Sequence, residues 1–203
     1  MACSRGLPEG GCIMRGLGFS RKDFSLRPLT EGDSAAILRW RNEESIRSCM
    51  YNNRVIAWEE HQEWLHYELQ NPDARHLIFL YRGKPAGYVA VSLIERRHQR
   101  CCWAFNLSDE RDGLPKGIGA VMEYLALEYI FDELGIRKLC CEVLSFNERV
   151  TKLHKRFGFS EEGLLRQHVQ RDDGLFDVVV LALFADHWHA CRDQIAEGLF
   201  GGD

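Results

Sequence analysis

The sequence predicts an α+β domain: a central, mostly antiparallel sheet flanked by helices. Three observations carry that expectation. Seven short apolar segments read as strands, and the longer segments between them repeat at helical spacing. Their order is strand, helices, three strands, helix, strand, helix, two strands, which lacks the regular strand–helix alternation of a doubly wound sheet. Arg82-Gly83-Lys84-Pro85 and Asp172-Asp173-Gly174 are tight-turn sequences of the kind that joins antiparallel neighbours.

In chain order, residues 1–22 are glycine-rich and without periodicity. They read as a flexible extension, with the domain expected over 23–203. The first strand is 24–29. Thr30 or Asp33 caps a helix bearing Ile37, Leu38 and Trp40. Helical pieces follow at 44–50 and 58–70, the second ending before Asn71-Pro72, because the residue before proline disfavours helical backbone. Strands are expected at 76–81, 86–94 and 100–107, then a polar loop at 109–116. A helix starts at Gly117, repeats through Ile118, Val121, Met122, Leu125 and Tyr129, and ends near Gly135. Strand 138–144 puts Cys140, Glu142 and Leu144 on one face. Asn147 opens a helix carrying Val150, Leu153 and Phe157, and Gly158 stops it. Strands at 163–171 and 175–183 and a closing helix at 186–197 complete the chain.

Composition narrows the function. With 203 residues, 45% hydrophobic and 28% charged, the chain can bury a core without disulfides or a metal. A net charge of −4 and no basic stripe disfavour a nucleic-acid partner. No apolar run reaches the roughly 18 residues of a membrane span. Eight cysteines include the adjacent pairs Cys101-Cys102 and Cys140-Cys141, neither with the spacing of a zinc or redox motif, so no metal is expected. With no cleavable apolar leader, they read as reduced packing residues of a cytoplasmic protein. The sequence does not set the oligomeric state, and a homodimer is compatible with it.

Chemistry enters at Lys116-Gly117-Ile118-Gly119-Ala120, where a loop closes and a helix opens. Glycine lets backbone approach a ligand with no Cβ in the way. The first N–H groups of a helix, with its dipole, suit a pyrophosphate, and Lys116 adds a point charge. A bare G-x-G before a helix is also a common tight turn. It is not a Walker A loop, which ends in G-K-[ST], nor a dinucleotide fingerprint, which needs a third glycine after a first strand. The second cluster is Cys141-Glu142-Val143-Leu144-Ser145-Phe146-Asn147, then Leu153-His154-Lys155-Arg156-Phe157-Gly158-Phe159.

A G-x-G loop followed about 30 residues later by N-x-x-x-x-x-L-[Y/H]-x-x-x-G-F resembles the GNAT superfamily of acetyltransferases, over about residues 24–183. The resemblance implies a seven-stranded sheet splayed between its fourth and fifth strands, acetyl-coenzyme A as co-substrate and an amine as acceptor. It implies the pyrophosphate on the backbone of Lys116, Gly117, Ile118, Gly119 and Ala120. The pantetheine would lie beside Asn106 and Leu107 and be held by Asn147. His154 would face the thioester sulfur, where most relatives carry a tyrosine that protonates the leaving thiolate. Histidine has a usable pKa near neutrality. A histidine packed at the core edge of its helix, beside Val150 and Leu153, is the plainer alternative.

The N-terminal half narrows the resemblance. Leu38-Arg39-Trp40-Arg41-Asn42, Ile46-Arg47, Met50, Asn52, Glu60-His61 and Trp64, with Met122-Glu123 and Glu162-Gly163, are similar to the N-acetyltransferases of pseudaminic acid biosynthesis. Those enzymes act on the 4-amino group of a UDP-linked dideoxy amino sugar. The likeness implies a small nucleotide-sugar partner contacted by Arg41, Met50, His61 and Ser92, with Glu142 as base acting through a water. A diphosphate needs cations and uracil needs apolar surface. Arg41, Arg47 and His61 are candidate donors, and Trp40, Met50 and Trp64 candidate surface, although both tryptophans also fit core positions.

Strand 100–107 carries no carboxylate, which leaves Glu142 on the next one. Burial near the splay would raise its pKa toward neutrality; a salt-bridged strand carboxylate is the alternative. Arg166 and His168 read as a solvated face. Transfer is expected to be direct, in a ternary complex, because no cysteine sits in a Cys/His nucleophile arrangement. Two readings stay open beside this one. A protein N-terminal or polyamine acetyltransferase would share the Leu26-Arg27-Pro28-Leu29 segment, although polyamines want an acidic pocket. A non-catalytic acyl-coenzyme A sensor would keep the glycine loop and Asn147 without the acid and base.

Overall fold

The computed structural model describes residues 16–108 and 113–201. Its strands are β1 Phe24–Pro28, β2 Arg75–Tyr81, β3 Lys84–Glu95, β4 Arg100–Leu107, β5 Lys138–Leu144, β6 Ser160–Arg171 and β7 Gly174–Phe184. They form one seven-stranded sheet in the order β1-β2-β3-β4-β5-β7-β6. The helices are α1 Ser34–Asn42, α2 Glu44–Arg47, α3 Trp58–Gln70, α4 Ile118–Glu128, α5 Glu148–Arg156 and α6 Ala185–Phe200. None is long and apolar enough to cross a membrane among the described residues.

Every neighbouring pair is antiparallel except β4 and β5. That parallel pair shares only three positions: Arg100 with Lys138, Cys101 with Leu139, and Cys102 with Cys140. Past them, β4 stays with β3 as far as Leu107, and β5 stays with β7 as far as Leu144. The sheet thus opens into a V between residues 103–107 and 141–144. Backbone groups along its inner edges lack ladder partners, so the gap can receive a ligand's amides.

Most elements form where the sequence places them. The β2–β3 turn is tighter than predicted: Tyr81 pairs with Lys84, so Lys84 and Pro85 already belong to β3. Pro85 sits beside a register shift, where a strand tolerates proline. Helix α2 stops at Arg47 instead of Met50, since Ser48, Asn52 and Asn53 favour turns. After α4 the chain loosens into a π turn over Tyr129–Glu133. Ala120 through Leu127 of α4 are all buried, as befits a helix between the sheet and α6. A Cβ on Gly87 would meet Met122 Sδ at 2.7 Å and Asn106 O at 2.9 Å, so that glycine lets α4 sit directly on β3. A second core gathers Ile37, Trp40, Ile46, Leu65 and Ile78, and Trp40, 2% exposed, is a core residue.

The expectation of a flexible extension needs correcting over 16–22. The N–H groups of Leu17 and Phe19 donate to the carbonyls of Gly198 and Leu199, both at 3.0 Å. Phe19 packs edge-on against Phe24, and Arg21 pairs with Glu128 at 3.0 Å. The last carbonyls of a helix have no partners within it, and this segment supplies partners for two of them in α6. Residues 1–15, and 109–112 of the predicted polar loop, lie outside the described residues.

The turn from β1 into α1 is held by Asp33. Arg27 donates two bonds to its carboxylate, each 2.7 Å, and the Thr30 N–H and hydroxyl donate at 2.9 and 2.8 Å. The Arg27 bonds outweigh burial and hold the Asp33 carboxyl at about 2, against an ordinary 3.8. A lowered folded value means the stabilisation is present above pH 3.8 and is lost as pH falls toward 2. Asp33→Ala should cost about 2 kcal/mol in urea unfolding at pH 7. It should also flatten the acid-side decline of stability below pH 3.8.

Candidate active site

Two hollows border the V. The larger, a cleft of about 1110 Å³, runs between the start of α4 and the outer face of α5. Leu107, Lys116, Gly117, Ile118, Gly119 and Ala120 all line it. Gly117 takes the position before α4 with φ +91°, a conformation that L side chains rarely adopt. No side chain caps this helix; the Ile118 and Ala120 N–H groups turn back to the Pro115 and Gly117 carbonyls, which leaves the Gly119 N–H and the helix dipole to an anion from the cleft. The opposite wall carries Arg149, Lys152 and Arg156, spaced three and four apart on one face of α5. With Lys116 they set four cations against one lining carboxylate, Glu148, which pairs with Lys152 at 2.6 Å. This balance fits the phosphates of coenzyme A. The sequence-based site omits these three α5 cations, although their helical spacing was legible.

The smaller cavity, about 410 Å³, lies between α1, α3 and strands β3 and β4. It brings together Arg41, Met50, His61 and Ser92, the four predicted acceptor contacts, and adds Asn106. Asn106 and Leu107, adjacent on β4, therefore divide between the two hollows, as alternating strand residues do. The remaining walls are largely apolar and aromatic: Ile37, Ile56, Trp64, Tyr88, Ala90 and Phe105.

Charge here is mostly spoken for. Glu60 accepts from Arg54 at 2.7 Å, and Glu68 meets His76 at 2.8 Å, whose other ring nitrogen lies 2.5 Å from the Tyr88 hydroxyl. Arg47 donates to the Asn53 carbonyl at 2.9 Å. Arg41 donates through Nη2 to the Asn52 carbonyl, while its Nη1 is buried with no partner. Burial, then the nearby guanidinium groups of Arg54 and Arg47, lower the pKa of Arg41. His61 is not a cationic donor. It is 4% exposed, its Nε2–H donates to the Ser34 carbonyl at 3.0 Å, and burial lowers its pKa. A neutral His61, stacked on Trp64, offers Nδ1 as an acceptor.

Glu142 stands on β5 beyond the last residue paired with β4, facing solvent instead of the buried setting expected of it. Tyr51, in the loop before α3, donates its hydroxyl to Glu142 Oε2 at 2.5 Å. The same loop is tied to the β6–β7 hairpin, where Arg171 donates to the Ser48 carbonyl at 3.1 Å and to that of Met50. His168 packs edge-on against the Tyr51 ring and is exposed, as is Arg166. Nothing local marks Tyr51, which is 91 positions from its partner. Asn147 stands at the N-terminal end of α5, where its carbonyl accepts from Val150 and Thr151; its side chain makes no capping bond.

His154 departs furthest from expectation. It lines neither hollow. It is 3% exposed, and its Nδ1 lies 2.8 Å from Glu123 Oε1, on α4. Its ring packs against Trp103, Phe105 and Phe159 at 5.4, 5.7 and 5.0 Å. Leu153 lines the cofactor cleft, and one residue on, about 100° around the helix, His154 points inward. Phe105 lines the acceptor cavity, so His154 lies one ring behind its wall. Glu123 is fully buried and its Oε2 has no partner. Burial raises the pKa of Glu123; it also opposes the imidazolium, but the Glu123 carboxylate outweighs that and raises the pKa of His154. Both shifts favour keeping a proton on the pair.

Among the described residues, no group of three His, Cys, Asp or Glu side chains is placed to hold a metal. Residues 23–160 match the acetyltransferase (GNAT) domain family. The spermidine N(1)-acetyltransferase of Escherichia coli K12 is 27% identical over 72% of this chain and 77% of its own. The [ribosomal protein bS18]-alanine N-acetyltransferase of the same strain is 22% identical over 70% and 85%. The crystal structure of the Vibrio cholerae spermidine N-acetyltransferase with CoA and spermine superposes with a TM-score of 0.77 at 22% identity, covering 83% of this chain and 99% of that one. With its splayed sheet and glycine loop before α4, the chain belongs to the GNAT acetyltransferase family and is an acetyl-coenzyme A-dependent N-acetyltransferase.

Proposed function

We propose that the acceptor is the 4-amino group of a UDP-linked amino sugar. The observation that carries this reading is Arg41 Nη1, a buried donor without a partner beside a largely apolar cavity. An unmatched buried donor is costly, and an anionic oxygen satisfies it. Arg47 and Arg54 reinforce the local positive charge, and the cavity's two carboxylates already have basic partners. The diphosphate would meet Arg41, with Met50, Trp64 and neutral His61 against the base or the deoxy sugar, and Ser92 deeper on β3. The free thiols among the described cysteines suit a reducing, cytoplasmic setting.

In the reaction the cleft holds coenzyme A, and its acyl end reaches the V past Asn147. The amine loses a proton through water to Glu142, which Tyr51 holds in place. It then attacks the thioester directly, and the thiolate leaves. His154 and Glu123 support the wall formed by Phe105.

A second reading follows from the relatives: a polyamine acceptor. Glu60 and Glu68 at the cavity and exposed Glu142 are the features that favour it. Initial rates with a UDP-4-amino sugar, spermidine and a peptide amine as competing acceptors separate the two. The nucleotide sugar should give the highest kcat/KM. Arg41→Ala should raise its KM about ten-fold or more, as loss of a charged hydrogen bond does, with KM for acetyl-CoA unchanged. A higher kcat/KM for spermidine, retained or improved in Arg41→Ala, would overturn the proposal in favour of the polyamine.

A further inference from the structure

The family match begins at residue 23, yet the segment before it reaches the cofactor cleft. Leu17 lines that cleft, and its Cδ1 lies 2.7 Å from where a Cβ on Gly117 would stand. Gly117 is required for its φ of +91°, and its missing Cβ lets Leu17 lie directly against the loop. Leu17 is also 40% exposed, a large apolar side chain held out beside a cationic wall. It is not there by default. Its N–H and that of Phe19 are bonded to the end of α6, Phe19 is packed on Phe24, and the Arg21 side chain is tied to Glu128 and lies over the Phe200 ring. Capping α6 thus delivers Leu17, already positioned, to the phosphate loop.

The cleft's lining is of two kinds: four cations, three of them on α5, and apolar surface to which Leu17, Leu114, Pro115 and Leu153 contribute. A ligand that fills both must carry phosphates and an apolar, planar or aliphatic part next to them. Coenzyme A has this composition at its nucleotide end, whereas its pantetheine arm is directed at the V. We propose that Leu17 is a coenzyme A contact supplied from outside the matched domain, forming an apolar wall for the adenine nucleotide. The inference rests on reading the 1110 Å³ cleft as the coenzyme A site.

Calorimetric titration with coenzyme A, and turnover with acetyl-CoA against S-acetylpantetheine, test it. Leu17→Ala should raise the Kd for coenzyme A and the KM for acetyl-CoA about five-fold, the value of a partly buried leucine contact. The kcat at saturation, turnover of S-acetylpantetheine and thermal unfolding should stay as in wild type, and Leu17→Met should restore binding. A Kd within two-fold of wild type, or tighter, overturns the role of Leu17. An equal loss with S-acetylpantetheine overturns the placement at the nucleotide. Failure of the wild-type protein itself to bind coenzyme A overturns the cleft assignment, and the inference falls with it.

Discussion

Glu123→Ala is expected to destabilise the fold by about 3–5 kcal/mol, the cost of removing one partner of a buried ion pair. Both side chains are almost wholly buried, and His154 Nδ1 lies 2.8 Å from the carboxylate. Glu123→Gln keeps an oxygen for the ring N–H and should cost less. The pair also makes a pH prediction. Burial alone would lower the imidazole pKa, yet the Glu123 charge, a hydrogen bond with Cys141 and the Glu123 hydrogen bond together lift it above its ordinary 6.5. A raised folded value contributes stability that is fully present below pH 6.5 and is lost as pH rises through the folded value. Urea unfolding of the wild type should therefore show declining stability above pH 6.5, and Glu123→Ala, which removes the largest of the raising causes, should flatten that slope. A loss under about 1 kcal/mol with the slope intact would mean that the pair is not ionised in the folded state.

The second large effect concerns Glu142. Glu142→Gln should lower kcat about 100-fold, the usual contribution of a positioned base. KM for acetyl-CoA should stay unchanged, because Glu142 does not line the cleft beside α4 and α5. Tyr51→Phe removes the 2.5 Å bond that orients the carboxylate, and it should lower kcat by a smaller factor, about five-fold. Steady-state rates at saturating acetyl-CoA check both. If Glu142→Gln stays within three-fold of wild type, the proton leaves the amine by another route.

Much of this was legible before any packing was known. The β6–β7 hairpin, the long strand β3 and helix α4 announce themselves through turn residues and periodicity, which are local properties. The glycine loop before α4 is equally local, because its glycines and the helix after it are consecutive in sequence. Arg41, Met50, His61 and Ser92 line one cavity. The charge of His61 was not legible, because it depends on the Ser34 carbonyl and on burial under α1.

His154 shows the limit most clearly. The sequence places it after Leu153 on an amphipathic helix, and both an outward acid and an inward core residue satisfy that spacing. What decides is Glu123, 31 positions away on α4. The same holds for Tyr51 and Glu142, and for Leu17 over Gly117. By itself the sequence determined the family, the strand and helix order and the glycine loop that opens α4, since propensity, turn chemistry and periodicity act between near neighbours. Only the tertiary structure decided which groups are charged, which are covered and which face the substrates. Those properties depend on desolvation and on partners that distant parts of the chain bring together.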